Sequence, residues 1–161
     1  MNEQMKAGVA LEGVAGVGFK NRKVGDLFCI WLVDNDVCWC EHLTWLLNTQ
    51  PGVNCSRCFT STISLLVELP QNSPPDAIVM DLAMPGMDGV ETVAAVRKLT
   101  SVPIIWMLTT FFDHKRRAEA LAAGAADFFL KRNSSTQLVA AIRAASIRLG
   151  STYHAHALSS R

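Results

Sequence analysis

The chain has 161 residues, half of them hydrophobic and 18% charged, which supports one domain with a proper core and excludes a disordered chain. A formal net charge of +1 argues against a broad nucleic-acid-binding face. Five cysteines form an odd set without the spacing of a disulfide framework, and no apolar run reaches the ~20 residues that cross a bilayer.

Residues 1–26 are Gly-rich and are expected to form a flexible extension. Glu12 and four glycines (Gly8, Gly13, Gly16 and Gly18) interrupt it, so it does not read as a signal peptide, and the expected location is the cytoplasm. Gly13-x-x-Gly16-x-Gly18 follows no strand and opens no helix, which removes its reading as a phosphate loop. Phe28 to Val33 is an apolar run of the kind found in buried parallel strands. Trp39, Leu43, Leu46 and Leu47 follow at helical spacing, with Asp36 as the N-cap. Val53 to Phe59 reads as a second strand, and Thr60 or Ser61 opens a helix that runs to Leu69. After the turn residues Asn72-Ser73-Pro74-Pro75, Ala77 to Met80 is a third strand ending in Asp81. Val90, Val93, Ala94 and Arg97 fit a helix that begins after Asp88-Gly89. Pro103 to Leu108 is a fourth strand ending in Thr109-Thr110. Asp113 starts a helix that stops at Gly124, and Ala126 to Leu130 is a fifth strand ending at Lys131. Ser134 or Ser135 caps a last helix with Leu138, Ile142, Ala145 and Leu149 on one stripe.

Strands and helices that alternate in this way predict an α/β fold: a five-stranded parallel sheet with helices on both faces. The expected strand order is the flavodoxin-like 2-1-3-4-5, with a crevice between the first and third strands. The domain is expected over residues 27–149, and residues 150–161 as a tail or the start of a linker to an absent output domain.

Ligands of such sheets sit at the carboxyl ends of the strands. There the sequence offers Asp34 and Asp36, Asp81, Thr109 and Lys131. Converging carboxylates repel unless a cation lies among them, and oxygen-only ligands suit Mg2+. A hydroxyl and an ammonium on the far side suit phosphoryl oxygens. Together they read as a phosphoryl-transfer site with a carboxylate nucleophile.

The stretch Asp76-Ala-Ile-Val-Met-Asp81-Leu-Ala-Met-Pro85-Gly-Met-Asp88-Gly89 resembles the phosphoacceptor segment of response-regulator receiver domains of two-component signalling. The resemblance covers about residues 28–149. It implies that Asp81 accepts a phosphoryl group from a sensor histidine kinase. It implies a Mg2+ ion held by Asp34, Asp81 and the backbone carbonyl of Ala83. Thr109 is implied as the switch hydroxyl, with Thr110 as the alternative, Phe128 as the switch aromatic and Lys131 as the phosphate-contacting lysine. A chain of this kind is a signalling domain rather than an enzyme, beyond catalysing its own phosphorylation and dephosphorylation. The resemblance also implies a homodimer through the surface of the fourth helix, fifth strand and fifth helix.

Two positions depart from the family pattern. Asn35 stands where a second acid is expected, and its amide oxygen can still ligate Mg2+ as an atypical, weak ligand. An amide brings no charge to the metal, a difference of ~1–4 kcal/mol that predicts weak Mg2+ binding. Asp36 would compensate only by turning inward, against its role as a helix cap. Arg132 replaces the proline that many receivers carry after the lysine. With Leu108-Thr-Thr-Phe111 and Ala123-Gly-Ala-Ala-Asp-Phe-Phe-Leu-Lys131, it resembles the NarL/FixJ-type subgroup, whose receivers are joined to helix-turn-helix domains. DNA contact is therefore expected only through an output domain outside this chain.

Two rival readings remain. One is a receiver-like interaction module that works without phosphorylation, favoured by Asn35. The other is a haloacid-dehalogenase-type phosphatase using Asp34 and Asp36, which leaves Met84 to Gly89 unexplained.

Cys38-x-Cys40 and Cys55-x-x-Cys58 read as free thiols rather than zinc ligands. Positions i and i+2 diverge on a helix, and Cys55 and Cys58 would face opposite sides of a strand. His114-Lys115-Arg116-Arg117 reads as a solvated helix face, His154-x-His156 as isolated, and Trp31 and Trp106 as core.

Overall fold

The computed structural model describes residues 25–159, without the side chains of residue 134 and of residues 149–159. The expectations for residues 1–24, the Ser134 cap, the Leu149 contact and the His154–His156 pair lie outside the described residues.

Five strands form one parallel sheet in the order β2-β1-β3-β4-β5. They are β1 (Phe28–Val33), β2 (Val53–Phe59), β3 (Ala77–Asp81), β4 (Ile104–Thr109) and β5 (Asp127–Leu130). The helices are α1 (Val37–Asn48), α2 (Thr62–Glu68), α3 (Gly89–Leu99), α4 (His114–Ala123) and α5 (Ser134–Ser159). A 3-10 turn at Leu69–Gln71 ends the α2 segment, and another at Lys131–Asn133 leads into α5.

Alternation along β1 divides the core. Phe28, Ile30 and Leu32 pack with Leu43 and Leu47 of α1 and Leu138 and Ile142 of α5. Trp31 and Val33 point the other way, toward Leu65 of α2, Val93 and Val96 of α3 and Ala120 of α4. Trp31 and Trp106 are buried, as their strand positions require.

Local chemistry fixes the helix starts. Asp36, Ser61 and Asp113 each accept backbone N–H groups of the first turn. Asp88 and Glu91 form a reciprocal capping box at α3. Gly124 ends α4 with φ 112°, a left-handed conformation that suits glycine.

Three expectations change. First, Cys55 and Cys58 do not face opposite sides of the sheet. The β1–β2 register slips between Ile30 and Trp31, so Ser56 is an extra residue that reverses the alternation. Cys55 packs in the core shared with α1, and Cys58 reaches α1 as well. Second, Cys40 and Cys58 are therefore not free thiols; they are joined in a disulfide between α1 and β2, with Cα atoms 6.5 Å apart. Cys29, Cys38 and Cys55 are free. Third, the run at 114–117 is a solvated face only in part: His114 and Lys115 are exposed, whereas Arg116 and Arg117 are half-buried. Arg116 bridges Asp88 and Glu119, and Arg117 approaches Asp127 at 3.6 Å. The last helix, α5, runs from Ser134 to Ser159.

Candidate phosphoacceptor site

The strand order brings the ends of β1 and β3 side by side, and each ends at a buried acid. Asp34 follows β1 and is 3% exposed; Asp81 closes β3 and is 5% exposed. Each carboxylate divides its two oxygens in the same way. Asp34 Oδ1 accepts the backbone N–H of Asp36 at 2.9 Å, and Asp81 Oδ1 accepts that of Ala83 at 3.1 Å. Both Oδ2 atoms turn toward one cation, the ammonium of Lys131, at 2.6 Å from Asp34 and 2.8 Å from Asp81.

The two lysine contacts differ in kind. Lys131 Nζ donates a well-directed hydrogen bond to Asp81 Oδ2. Asp34 Oδ2 is fully buried and is held by charge proximity without a hydrogen bond of good angle. Burial pulls the Lys131 ammonium down, but the two carboxylates outweigh it and hold its pKa above the usual lysine value. Two acids facing one base leave the pocket one positive charge short of neutrality.

That imbalance and the buried Asp34 Oδ2, which is ion-paired but lacks a hydrogen bond of good angle, fit a small hard cation. Asp34, Asp81 and the Ala83 carbonyl are the residues that would hold Mg2+. Asn35 is exposed. Asp36 is exposed too, and its Oδ1 accepts the Trp39 N–H at 3.1 Å, so it serves the helix rather than the pocket. This removes the paired nucleophile and acid that the phosphatase reading requires of Asp34 and Asp36.

Thr109 ends β4 and is buried, whereas Thr110 is exposed. The Thr109 hydroxyl donates to the Phe111 carbonyl at 3.0 Å. Phe128 is buried on β5 and meets Phe112 edge to face, with ring centres 6.2 Å apart.

The floor behind Asp81 depends on one glycine. A Cβ on Gly89 would lie 2.8 Å from the Leu82 Cα and 2.9 Å from the Asp81 carbonyl oxygen. Only glycine lets α3 start this close to the acceptor strand. Asp88, beside it, uses one oxygen for the α3 cap and the other for Arg116 at 2.8 Å. Burial raises the Asp88 carboxyl, but the Glu91 N–H and the Arg116 guanidinium more than reverse that and hold it below the usual range.

Two contributors escape a reading by motif. Trp39, assigned to the apolar stripe of α1, has its ring under the Lys131 ammonium, 5.1 Å from the ring centre. The cap at Asp36 was the available signal, because it places Trp39 in the first turn, beside the strand ends. Arg116 looked like one member of a charge run, and nothing local distinguishes it from Lys115.

A doubly wound parallel sheet with two acids, a hydroxyl and a lysine at its carboxyl edge defines the receiver class of signalling domains. The family model for the response regulator receiver domain matches residues 30–143, and the chain belongs to that family. Its relatives place it in the NarL/FixJ-type subgroup. LiaR of Bacillus subtilis, a transcriptional regulatory protein, is 40% identical over 84 residues, which are 52% of this chain and 38% of LiaR. VraR of Staphylococcus aureus is 39% identical over 69 residues, 43% of this chain and 33% of VraR. The chain thus matches less than half the length of these relatives. Among solved structures, the receiver domain of NarL from Mycobacterium tuberculosis superposes with a TM-score of 0.69 at 26% identity, over 75% of this chain and 97% of that domain. Among the described residues no helix is long and apolar enough to cross a membrane.

Proposed function

We propose that this receiver accepts a phosphoryl group on Asp81 from the phosphohistidine of a sensor histidine kinase. The observation that carries the reading is the convergence of Asp34 and Asp81 on Lys131, at 2.6 and 2.8 Å. In this reading Asp81 Oδ2 attacks phosphorus and the histidine nitrogen leaves. Oδ1 stays anchored by the Ala83 N–H, which fixes the direction of attack. Bound Mg2+ supplies positive charge for the phosphoryl oxygens. Asp34, Asp81 and the Ala83 carbonyl would hold the ion, Asp34 directly or through water. Lys131, already in the pocket, moves its donor hydrogens from the carboxylate to a phosphoryl oxygen.

Phosphorylation adds a strongly anionic group at the sheet edge. Thr109 exchanges its bond to the Phe111 carbonyl for one to the phosphoryl group, and Phe128 turns into the space released. The α4-β5-α5 surface then changes shape and becomes the site of homodimer formation. The resulting signal controls transcription through a DNA-binding output domain outside this chain, in the cytoplasm.

The test is intact-protein mass after incubation with acetyl phosphate and Mg2+, with Asp81→Asn alongside. The expected result is one phosphoryl adduct on the native chain and none on the variant. An adduct that persists on Asp81→Asn would move the acceptor elsewhere. Asn35 favours a second reading, a module that binds its partner without phosphorylation, and absence of any adduct at high Mg2+ would support it.

A further inference from the structure

We infer that Trp39 is a positioning residue for phosphoryl transfer: its indole face holds the Lys131 ammonium over the pocket. The inference rests on the reading of Asp81 as acceptor and adds a residue that the acid–lysine set does not contain.

The geometry has three parts. Lys131 Nζ lies 5.1 Å from the Trp39 ring centre, within the range of a cation–π contact. The ring does not stand alone in solvent, because Trp39 is half-buried and packs against the core cluster of β1, α1 and α5. Its backbone is fixed too, since its N–H donates to the capping carboxylate of Asp36. The platform under the lysine is therefore held at both backbone and side chain.

The chemistry explains why such a platform matters. Lysine carries a point charge on a flexible four-carbon stem. Its two carboxylate partners are the groups that change when the site works. Asp81 loses a negative oxygen to the new P–O bond, and Asp34 takes a share of any metal. An ammonium held only by these acids would be released as they are engaged. The indole face is an uncharged partner that no step consumes. It keeps Nζ at the pocket while its carboxylate contacts are exchanged for a phosphoryl oxygen.

Two measurements test this separately from the acceptor assignment. The first uses lysine labelled with 13C and needs no phosphorylation. A side-chain ε-CH2 signal assigned by its loss in Lys131→Arg should be shifted upfield by the indole ring current. The shift should vanish in Trp39→Leu and survive in reduced form in Trp39→Phe. A Lys131 signal at the ordinary lysine position in the native chain would overturn the contact.

The second is the initial rate of adduct formation with acetyl phosphate and Mg2+. Trp39→Leu should slow labelling about fivefold, and Trp39→Phe should recover most of the rate because a ring face is restored. Equal rates in the native chain and Trp39→Leu would overturn the positioning role, as would a loss that Trp39→Phe fails to recover. If the native chain shows the ring-current shift but takes up no phosphoryl group, the acceptor reading fails while the lysine platform stands.

Discussion

The two ends of the sheet both bury charge, but they satisfy it differently. At the amino end, charged groups meet backbone. Asp76 lies just before β3, and its Oδ2 accepts the Cys29 N–H at 2.6 Å. Arg97 at the end of α3 donates to the Gly124 carbonyl at 3.0 and 3.2 Å and to the Pro103 carbonyl at 2.8 Å. Those partners are part of the chain's frame and cannot leave. At the carboxyl end, Asp34 and Asp81 each keep one oxygen on backbone and turn the other to Lys131. Contacts of that second kind can be replaced by a metal or a phosphoryl group. Under the proposed function, burial of charge marks structure at one end and chemistry at the other, and the partner type tells which.

The largest expected effects probe whether the difference is real. Lys131→Met leaves two buried carboxylates facing each other without a base, which should cost about 3 kcal/mol in the presence of a chelator. Added Mg2+ should return much of it, because the lost charge is replaced by another cation. Arg97→Ala should cost about 2–3 kcal/mol through carbonyls deprived of charged donors. Here Mg2+ should return nothing. Urea midpoints of both variants, with and without Mg2+, decide the matter. If Mg2+ rescued both variants or neither, the contrast between the ends would be lost.

Smaller effects sharpen the same contrast. Asp81→Asn should abolish the phosphoryl adduct yet change stability by less than about 1 kcal/mol, since Lys131 keeps Asp34 as a partner and the pair becomes neutral. Asn35→Asp should tighten Mg2+ about fivefold or more by adding a negative charge near the metal. A titration with equal affinity in the two proteins would show that residue 35, exposed here, does not reach the ion.

Much of this was legible in the sequence, for stated reasons. Strand ends were readable because an apolar run stops at a polar residue, and Asp34, Asp81, Thr109 and Lys131 each stand at such a stop. Helix starts were readable because Asp36, Asp88 and Asp113 cap by local geometry alone. What escaped depends on long-range register. The extra residue at Ser56 reverses the face of Cys58, and no composition rule announces a bulge in an edge strand. The Cys40–Cys58 pairing followed from that reversal. Arg116 was read as a helix-surface residue and Arg97 only as a position in the third helix, because their partners come from segments distant in sequence, Asp88 for one and Gly124 for the other. A charge run reveals its sign but not which member finds a partner.

Alkaline pH should act on the exchangeable end. The Lys131 ammonium is held above its ordinary value of 10.5, because two carboxylates outweigh the cost of its burial. A group raised in the folded state stabilises fully below its unfolded value. That stabilisation declines as pH rises from 10.5 through the folded value, where the folded chain binds more protons than the unfolded one. The stability difference between the native chain and Lys131→Met should thus be flat at neutral pH and shrink in the alkaline range. Burial lowers the Arg97 guanidinium from its ordinary value, the opposite direction to Lys131, so the difference between the native chain and Arg97→Ala should not follow the same curve. A Lys131→Met difference that stayed constant past the ordinary lysine value would show that the ammonium is not bound by its two acids. The pocket would then be held by the backbone-anchored oxygens alone, as at the other end of the sheet.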